Sequence, residues 1–231
     1  MNEPAAAPTG VGPKGVVTTI ELDRNERTIV RRSAETRATV PSVEFAVVVD
    51  MGRSIATEAE LGCGITALLV RAAAHALRAL PRVNGAYRDG HYELYSRINV
   101  GVTIAEEGVH VIPTVFDADE KSVIEIAAEL ADHRNRALAG ELMPADLTGA
   151  TFTLTDSGRY DVATVTPLIV APHAAALAAG PIRETAVVRD GAVLAGRTMA
   201  ATLAGDHRMV HGAHASSFLE KFKTHLEEGL A

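Results

Sequence analysis

Apolar positions along this chain follow two periods, and the switches between them mark out the elements. Residues 65–80 repeat apolar side chains at helical spacing, with Thr66 near the start and Pro81 as the stop, which predicts a well-buried helix. Further on, Val123, Ile126, Ala127 and Leu130 recur at i, i+3, i+4 and i+7, and Glu125 lies three residues after Ser122. That spacing predicts an amphipathic helix opened by a capping box. Residues 24–39 are more polar, carry Arg27, Arg31 and Arg32, and predict a helix ending before Pro41; residues 213–228 predict the last helix. Strand patterns occupy residues 16–22, 42–51, 151–155, 174–179, 185–189 and 192–203, where Val, Thr and alternating apolar residues dominate. Two hairpins are expected: runs 84–87 and 92–95 flank Arg88-Asp89-Gly90-His91, and runs 98–105 and 109–116 flank Glu106-Glu107-Gly108. Arg189-Asp190-Gly191 reads as a further tight turn. Several strands, hairpin turns and long helices predict an α/β (α+β) domain with a mixed sheet covered by helices.

Composition narrows this picture. Residues 1–15 hold three prolines, three glycines and few large apolar groups, so they are expected to form a flexible tail ahead of one domain over residues 16–231. With 231 residues, 47% of them hydrophobic, the chain can bury one sizeable core. Cys63 is the single cysteine, which excludes an intrachain disulfide and a multi-cysteine zinc site and fits a reducing, cytoplasmic setting. A net charge of −7 argues against a binder of phosphate backbones, and 4% aromatic residues offer few platforms for stacking bases. The N-terminus lacks the basic and apolar regions of a signal peptide, and the most apolar window, residues 165–182, is broken by Pro167, Pro172 and Pro181. Neither nucleic acid nor a membrane is an expected partner.

The candidate chemistry lies in Asp206-His207-Arg208-Met209-Val210-His211-Gly212. His207, flanked by polar residues between a strand pattern and a helix pattern, has the setting of an acid–base residue at a turn. A lone histidine is more often a hydrogen-bonded structural residue, so the motif around it has to carry the argument. His207, His211 and His214 form a run, but Gly212 interrupts it where the helix begins and the rings are expected to diverge. No Glu follows His207, so the zinc-protease pattern is missing and no metal is expected.

Together with Gly212-Ala213 and the Phe218-Leu219 helix, Asp206-His207-Arg208 resembles the DHRxxDGA signature of the catalytic domain of 2-oxo-acid dehydrogenase acyltransferases. The resemblance continues upstream through Thr151-Phe152-Thr153-Leu154-Thr155 with Gly158, Thr166-Pro167-Leu168-Ile169 with Pro172, Asn99-Val100-Gly101-Val102, and Val111-Ile112-Pro113 with Asp117-Ala118-Asp119 and Lys121-Ser122. These stretches stand in the family's order over roughly residues 16–228. The resemblance implies a chloramphenicol-acetyltransferase-like fold and a trimer with sites between subunits. It also implies His207 as the base and Thr155, 52 residues earlier, as donor to the oxyanion. Imidazole, with a reference pKa of about 6.5, can take a proton at neutral pH. One pre-aimed hydroxyl is typically worth roughly 10²–10³-fold in rate.

Three departures shape the functional expectation. His211 stands where the family has Asp, sometimes Asn, and in relatives that Asp carboxylate pairs with an arginine that braces the site; Arg27 is the arginine expected as its partner, with Asp206 as further support. No lipoyl or subunit-binding domain is expected ahead of residue 16, and the stretch Gly229-Leu230-Ala231 leads to no expectation of the apolar tail that joins trimers into cages. These points lead to the expectation of a free-standing homotrimer that takes acetyl-CoA as co-substrate, holds no permanent cofactor, and O-acetylates a small-molecule hydroxyl, as stand-alone relatives in tetronate pathways do. Two other readings stay open: acyl transfer to a dihydrolipoamide thiol in a dehydrogenase-complex core, and a non-catalytic trimeric scaffold. His173, where the family often has Gln, is expected at the substrate channel. Arg27, Arg31 and Arg32 read as a solvated helix face rather than a contact for CoA phosphates.

Overall fold

A single long strand, β13 (Ala192–Asp206), organises the sheet that positions the site. Its first half pairs antiparallel with β12 (Arg183–Arg189), and its second half runs between β3 (Ser42–Asp50) and β11 (Ala175–Ala179), antiparallel to both. Beyond β11 the order continues through β10 (Phe152–Asp156), β6 (Val100–Val102) and β9 (Thr114–Val115). β10 is parallel to both β11 and β6, so the sheet is mixed, as the alternation of strand and helix patterns predicts. The structure, a computed structural model, describes residues 8–106 and 108–229.

Alternation decides which side of the sheet meets the helices. Phe152, Leu154, Leu177, Met199, Leu203 and Val49 point to one face and belong to the main core with helices α3 (Ile65–Ala79) and α5 (Gly212–Glu228). Helix α3 is apolar nearly all round, and nine of its residues are buried. It lies in the middle of the core, as its pattern predicts. The opposite face carries small or hydroxyl side chains, including Thr153, Thr155, Ala176, Ala178, Thr202 and Ala204.

Local chemistry places most helix boundaries. Helix α1 (Arg24–Thr39) opens with a reciprocal box in which Glu26 N–H donates to Asp23 Oδ1 and Asp23 N–H to Glu26 Oε2, both at 2.7 Å. Helix α4 (Val123–Ala139) opens with the expected Ser122–Glu125 box and closes at Gly140 in the left-handed conformation. Helix α2 (Gly52–Leu61) was not predicted from the sequence pattern. Its N-cap, Met51, has no capping side chain, and it is held instead by a distant bond from Ser54 Oγ to the Leu226 carbonyl at 2.7 Å. Among the described residues, no single helix is long and apolar enough to cross a membrane.

Two further segments differ from expectation. The first strand is shorter, β2 (Gly15–Thr18), and pairs with β1 (Pro8–Gly12) inside the expected tail; residues 1–7 of that tail lie outside the described residues. Gly15, at φ 84°, closes the tight turn, so the backbone ladder forms while all of β2 stays exposed. The expected hairpin over residues 98–116 splits in two. Its inner part, β6 with β9, joins the central sheet, while β7 (Ile104–Glu106) and β8 (Val109–Val111) form a separate ribbon. Parallel pairing of β6 with β10 pulls the inner half away, and the Asp89-Gly90 hairpin, β4 (Gly85–Arg88) with β5 (His91–Leu94), forms as predicted.

Candidate active site

His207 follows directly on β13, and a clasp around it fixes its backbone. Asp206 is buried and takes Arg208 in a two-pronged pair, with Nη2 at 2.6 Å from Oδ2 and Nε at 2.9 Å from Oδ1; the Arg208 N–H also donates to Oδ1 at 3.0 Å. Asp206 holds the guanidinium proton more tightly than usual, chiefly through these hydrogen bonds. The guanidinium lies 4.3 Å from the centre of the Tyr87 ring, and Tyr92 OH donates to the Arg208 carbonyl at 2.9 Å. His207, between the two clasped residues, is exposed, and its N–H donates to the Pro41 carbonyl at 2.9 Å. Gly205 permits the turn, because a Cβ there would meet Val210 Cγ1 at 2.8 Å.

Arg27 does not join this arrangement in the chain. It is exposed on α1, where its Nε donates to the Asp23 carbonyl at 3.2 Å, and the buried acid of the turn takes Arg208, two residues away, instead. His211 is the N-cap of α5, and its N–H donates to His214 Nδ1 at 3.4 Å. The His207 and His211 rings meet edge-on with centres 5.2 Å apart, and those of His211 and His214 are 5.9 Å apart. Among the described residues, no three His, Cys, Asp or Glu side chains are grouped so as to hold a metal ion. Arg31 and Arg32 are exposed; Arg32 borders an open cleft of about 540 Å³ that Arg88, Asp206 and Arg208 also line.

Thr155, near the C-terminal end of β10, is recessed in a cavity of about 520 Å³. Its Oγ1 is 3.0 Å from Thr103 Oγ1. Asp156, next along, accepts from Thr66 Oγ1 at 2.6 Å and from the Gly158 N–H at 2.8 Å. At the rim, Glu106 binds Arg134 (Nε to Oε1, 2.6 Å) and Arg159 (Nη1 to Oε2, 2.7 Å), and these guanidiniums, Arg134 first, hold its carboxyl below the usual range. Thr103, Thr66 and this clasp were not expected at the site from the sequence, since nothing local to their positions points to it.

His173 is mostly buried at the wall of the cleft that Arg32, Arg88, Asp206 and Arg208 line. Its Nε2 lies 2.8 Å from the Ala150 carbonyl and its Nδ1 3.1 Å from Thr153 Oγ1. A carbonyl only accepts, so Nε2 carries the proton and Nδ1 accepts from the Thr153 hydroxyl. Burial pushes the His173 pKa down to about 4.

The strand registers separate the two principal residues. Thr155 pairs with Ala178, Ala178 pairs with Thr202, and His207 lies five residues beyond Thr202. Strand geometry therefore sets them about 17 Å apart along the strands and about 10 Å across two strand spacings. Within one chain the two side chains therefore do not meet.

Comparison with known proteins agrees with this architecture. The family described as 2-oxoacid dehydrogenases acyltransferase (catalytic domain) matches residues 14–230. The dihydrolipoyllysine-residue acetyltransferase component of the pyruvate dehydrogenase complex of Bacillus subtilis (strain 168) is 32% identical, over 97% of this chain and 53% of that protein. The chain spans about half the length of the curated relatives it matches at that coverage. Among solved structures, Azotobacter vinelandii dihydrolipoamide acetyltransferase superposes with a TM-score of 0.87 at 22% identity, covering 97% of each chain. A chloramphenicol acetyltransferase shares the fold, with a TM-score of 0.59 at 18% identity over 89% of this chain and 98% of that one. Fold, motif order and sequence match together place this chain in the 2-oxoacid dehydrogenase acyltransferase family, as an acyltransferase catalytic domain.

Proposed function

We propose that this domain transfers acyl groups between the thiol of CoA and the thiol of a dihydrolipoyl group carried by a partner, at sites that two copies of a homotrimer build together. The match over 97% of the chain to a dihydrolipoyllysine-residue acetyltransferase carries this reading. The thiol acceptor replaces the alcohol expected from the sequence, because that relative acts on a dihydrolipoyllysine residue. The catalytic mechanism of the Azotobacter protein has been investigated at a serine, a histidine and an asparagine, spaced 52 and then 4 residues apart. Thr155, His207 and His211 stand at the same two spacings here, which supports roles for the first two.

In the proposed reaction, His207 of one copy takes the proton of the attacking thiol as its sulfur bonds to the thioester carbon. The carbonyl oxygen becomes an anion and accepts the hydroxyl proton of Thr155 from the neighbouring copy as a hydrogen bond. The intermediate then collapses, the bond from carbon to the leaving sulfur breaks, and the imidazolium returns its proton to that thiolate. Nothing is oxidised or reduced. The Asp206–Arg208 clasp and the His207 backbone bond hold the base in place through this cycle.

Labelled acetyl-CoA offered together with dihydrolipoamide and with an exocyclic-hydroxymethyl tetronate tests the reading. Label is expected on the dihydrolipoamide sulfur, with a loss of about 10²–10⁴-fold in His207→Ala. Label on the tetronate alone, or equal turnover by His207→Ala, overturns it.

A further inference from the structure

We propose that Thr103 is a positioning residue for the oxyanion donor: its hydroxyl donates to Thr155 Oγ1, leaving the Thr155 proton free to meet the developing anion. The inference rests on the acyl-transfer role of Thr155 given above. It starts from the fold. Parallel strands β6 and β10 pair Val102 with Leu154, and the next rung is closed by Thr103 N–H donating to the Leu154 carbonyl at 2.9 Å. Residues 103 and 155 therefore stand side by side on the same face, with their hydroxyl oxygens 3.0 Å apart.

A threonine hydroxyl has one proton and two lone pairs. If Thr155 spends its proton on Thr103, none is left for the oxyanion; if Thr103 donates, Thr155 accepts and keeps its own proton for the substrate. The second arrangement is the one the proposed reaction requires. Asp156, the carboxylate next to Thr155 in the sequence, accepts hydrogen bonds from the Thr66 hydroxyl and the Gly158 N–H, one on each oxygen. An anion forming at the carbonyl then orders the chain from Thr103 through Thr155 to itself, because aligned donors polarise one another. The cavity holds both hydroxyls, so the chain is complete at the place where the charge appears.

The test compares kcat and KM of Thr103→Val, Thr103→Ser, Thr155→Val and the Thr103→Val/Thr155→Val double variant, with dihydrolipoamide and acetyl-CoA. Thr103→Val is expected to lower kcat about 2–10-fold, the share of one hydrogen bond, with KM and the pH–rate profile unchanged. Thr103→Ser is expected to restore the rate. In the double variant, loss of Thr103 is expected to add nothing to loss of Thr155. Thr103→Ala serves as a second variant if the valine disturbs folding, as thermal unfolding will show. A wild-type kcat in folded Thr103→Val and Thr103→Ala, or independent losses that multiply in the double variant, overturns the inference while leaving Thr155 in its role. Unchanged turnover in Thr155→Val removes that role and the inference with it.

Discussion

At the β13 end of the sheet His207 stands exposed between two residues that bind each other, whereas at the β10 end Thr155 is recessed in a cavity beside a second hydroxyl. The two positions are also held by different forces. A buried charge pair and a main-chain bond fix the turn at residue 207, while parallel strand register fixes the threonines. The contrast suits the tasks proposed for each. A base must reach the proton of an incoming thiol, so an open position serves it. A donor to a transient anion works best where it is already aimed and water is kept away. On the proposed reading, each end is half of a site.

The sharpest way to break the comparison is to separate the halves genetically. His207→Ala and Thr155→Val homotrimers are each expected to lose nearly all turnover. Dissociated and reassembled together in equal amounts, they are expected to regain about a quarter of wild-type activity, because a random cyclic trimer pairs an intact base with an intact hydroxyl at one interface in four. A mixture as inactive as its parents would place both residues of a working site in one chain.

A smaller effect sharpens the account of the exposed end. Asp206→Asn removes the charge that Arg208 pairs with and is expected to cost about 1–3 kcal/mol. A lower melting temperature, by about 2–4 °C for each kcal/mol, is expected together with a lower kcat, since the turn that carries His207 loosens. An unaltered melting temperature would show that the main-chain bonds alone hold it.

The mildest test concerns the recessed end, where His173 supports Thr153 two residues before Thr155. Folded His173 binds a proton only near pH 4, whereas its ordinary value is 6.5, so between these values the unfolded chain binds more protons. The contribution of neutral His173 is complete above about pH 6.5 and fades as pH falls towards 4, by at most about 3 kcal/mol. Unfolding midpoints in urea measured from pH 7.5 to 4 are expected to fall less steeply for His173→Gln than for the wild type. Parallel profiles would mean that another group governs the acid limb.

What could be read from the sequence was what is written locally. The Ser122–Glu125 box, the Asp89-Gly90 turn and the apolar run of α3 each specify an element within a few residues, and each forms as expected. Helix α2 was illegible because its N-cap offers no side-chain signal and Ser54 is satisfied by the distant Leu226. The split of the hairpin over residues 98–116 depends on β10, about fifty residues on, which no local pattern encodes. The site divides along the same line. His207 and Thr155 stand in ordered motifs, but Thr103 gains its meaning only from a parallel rung. The pairing of Asp206 with Arg208 emerges only once the acid is buried at the turn.

Strand β11, four alanines and a leucine, is buried throughout and lies between β10 and the far half of β13. Its backbone ladders to both neighbours fix the strand spacing, so the chain cannot flex its own base towards its own hydroxyl. On the proposed reading, the working distance is a property of the contact between copies. For the proposed reaction, turnover per chain becomes a gauge of association: dilution itself acts as an inhibitor, and a compound wedged between subunits silences the chemistry without touching either residue.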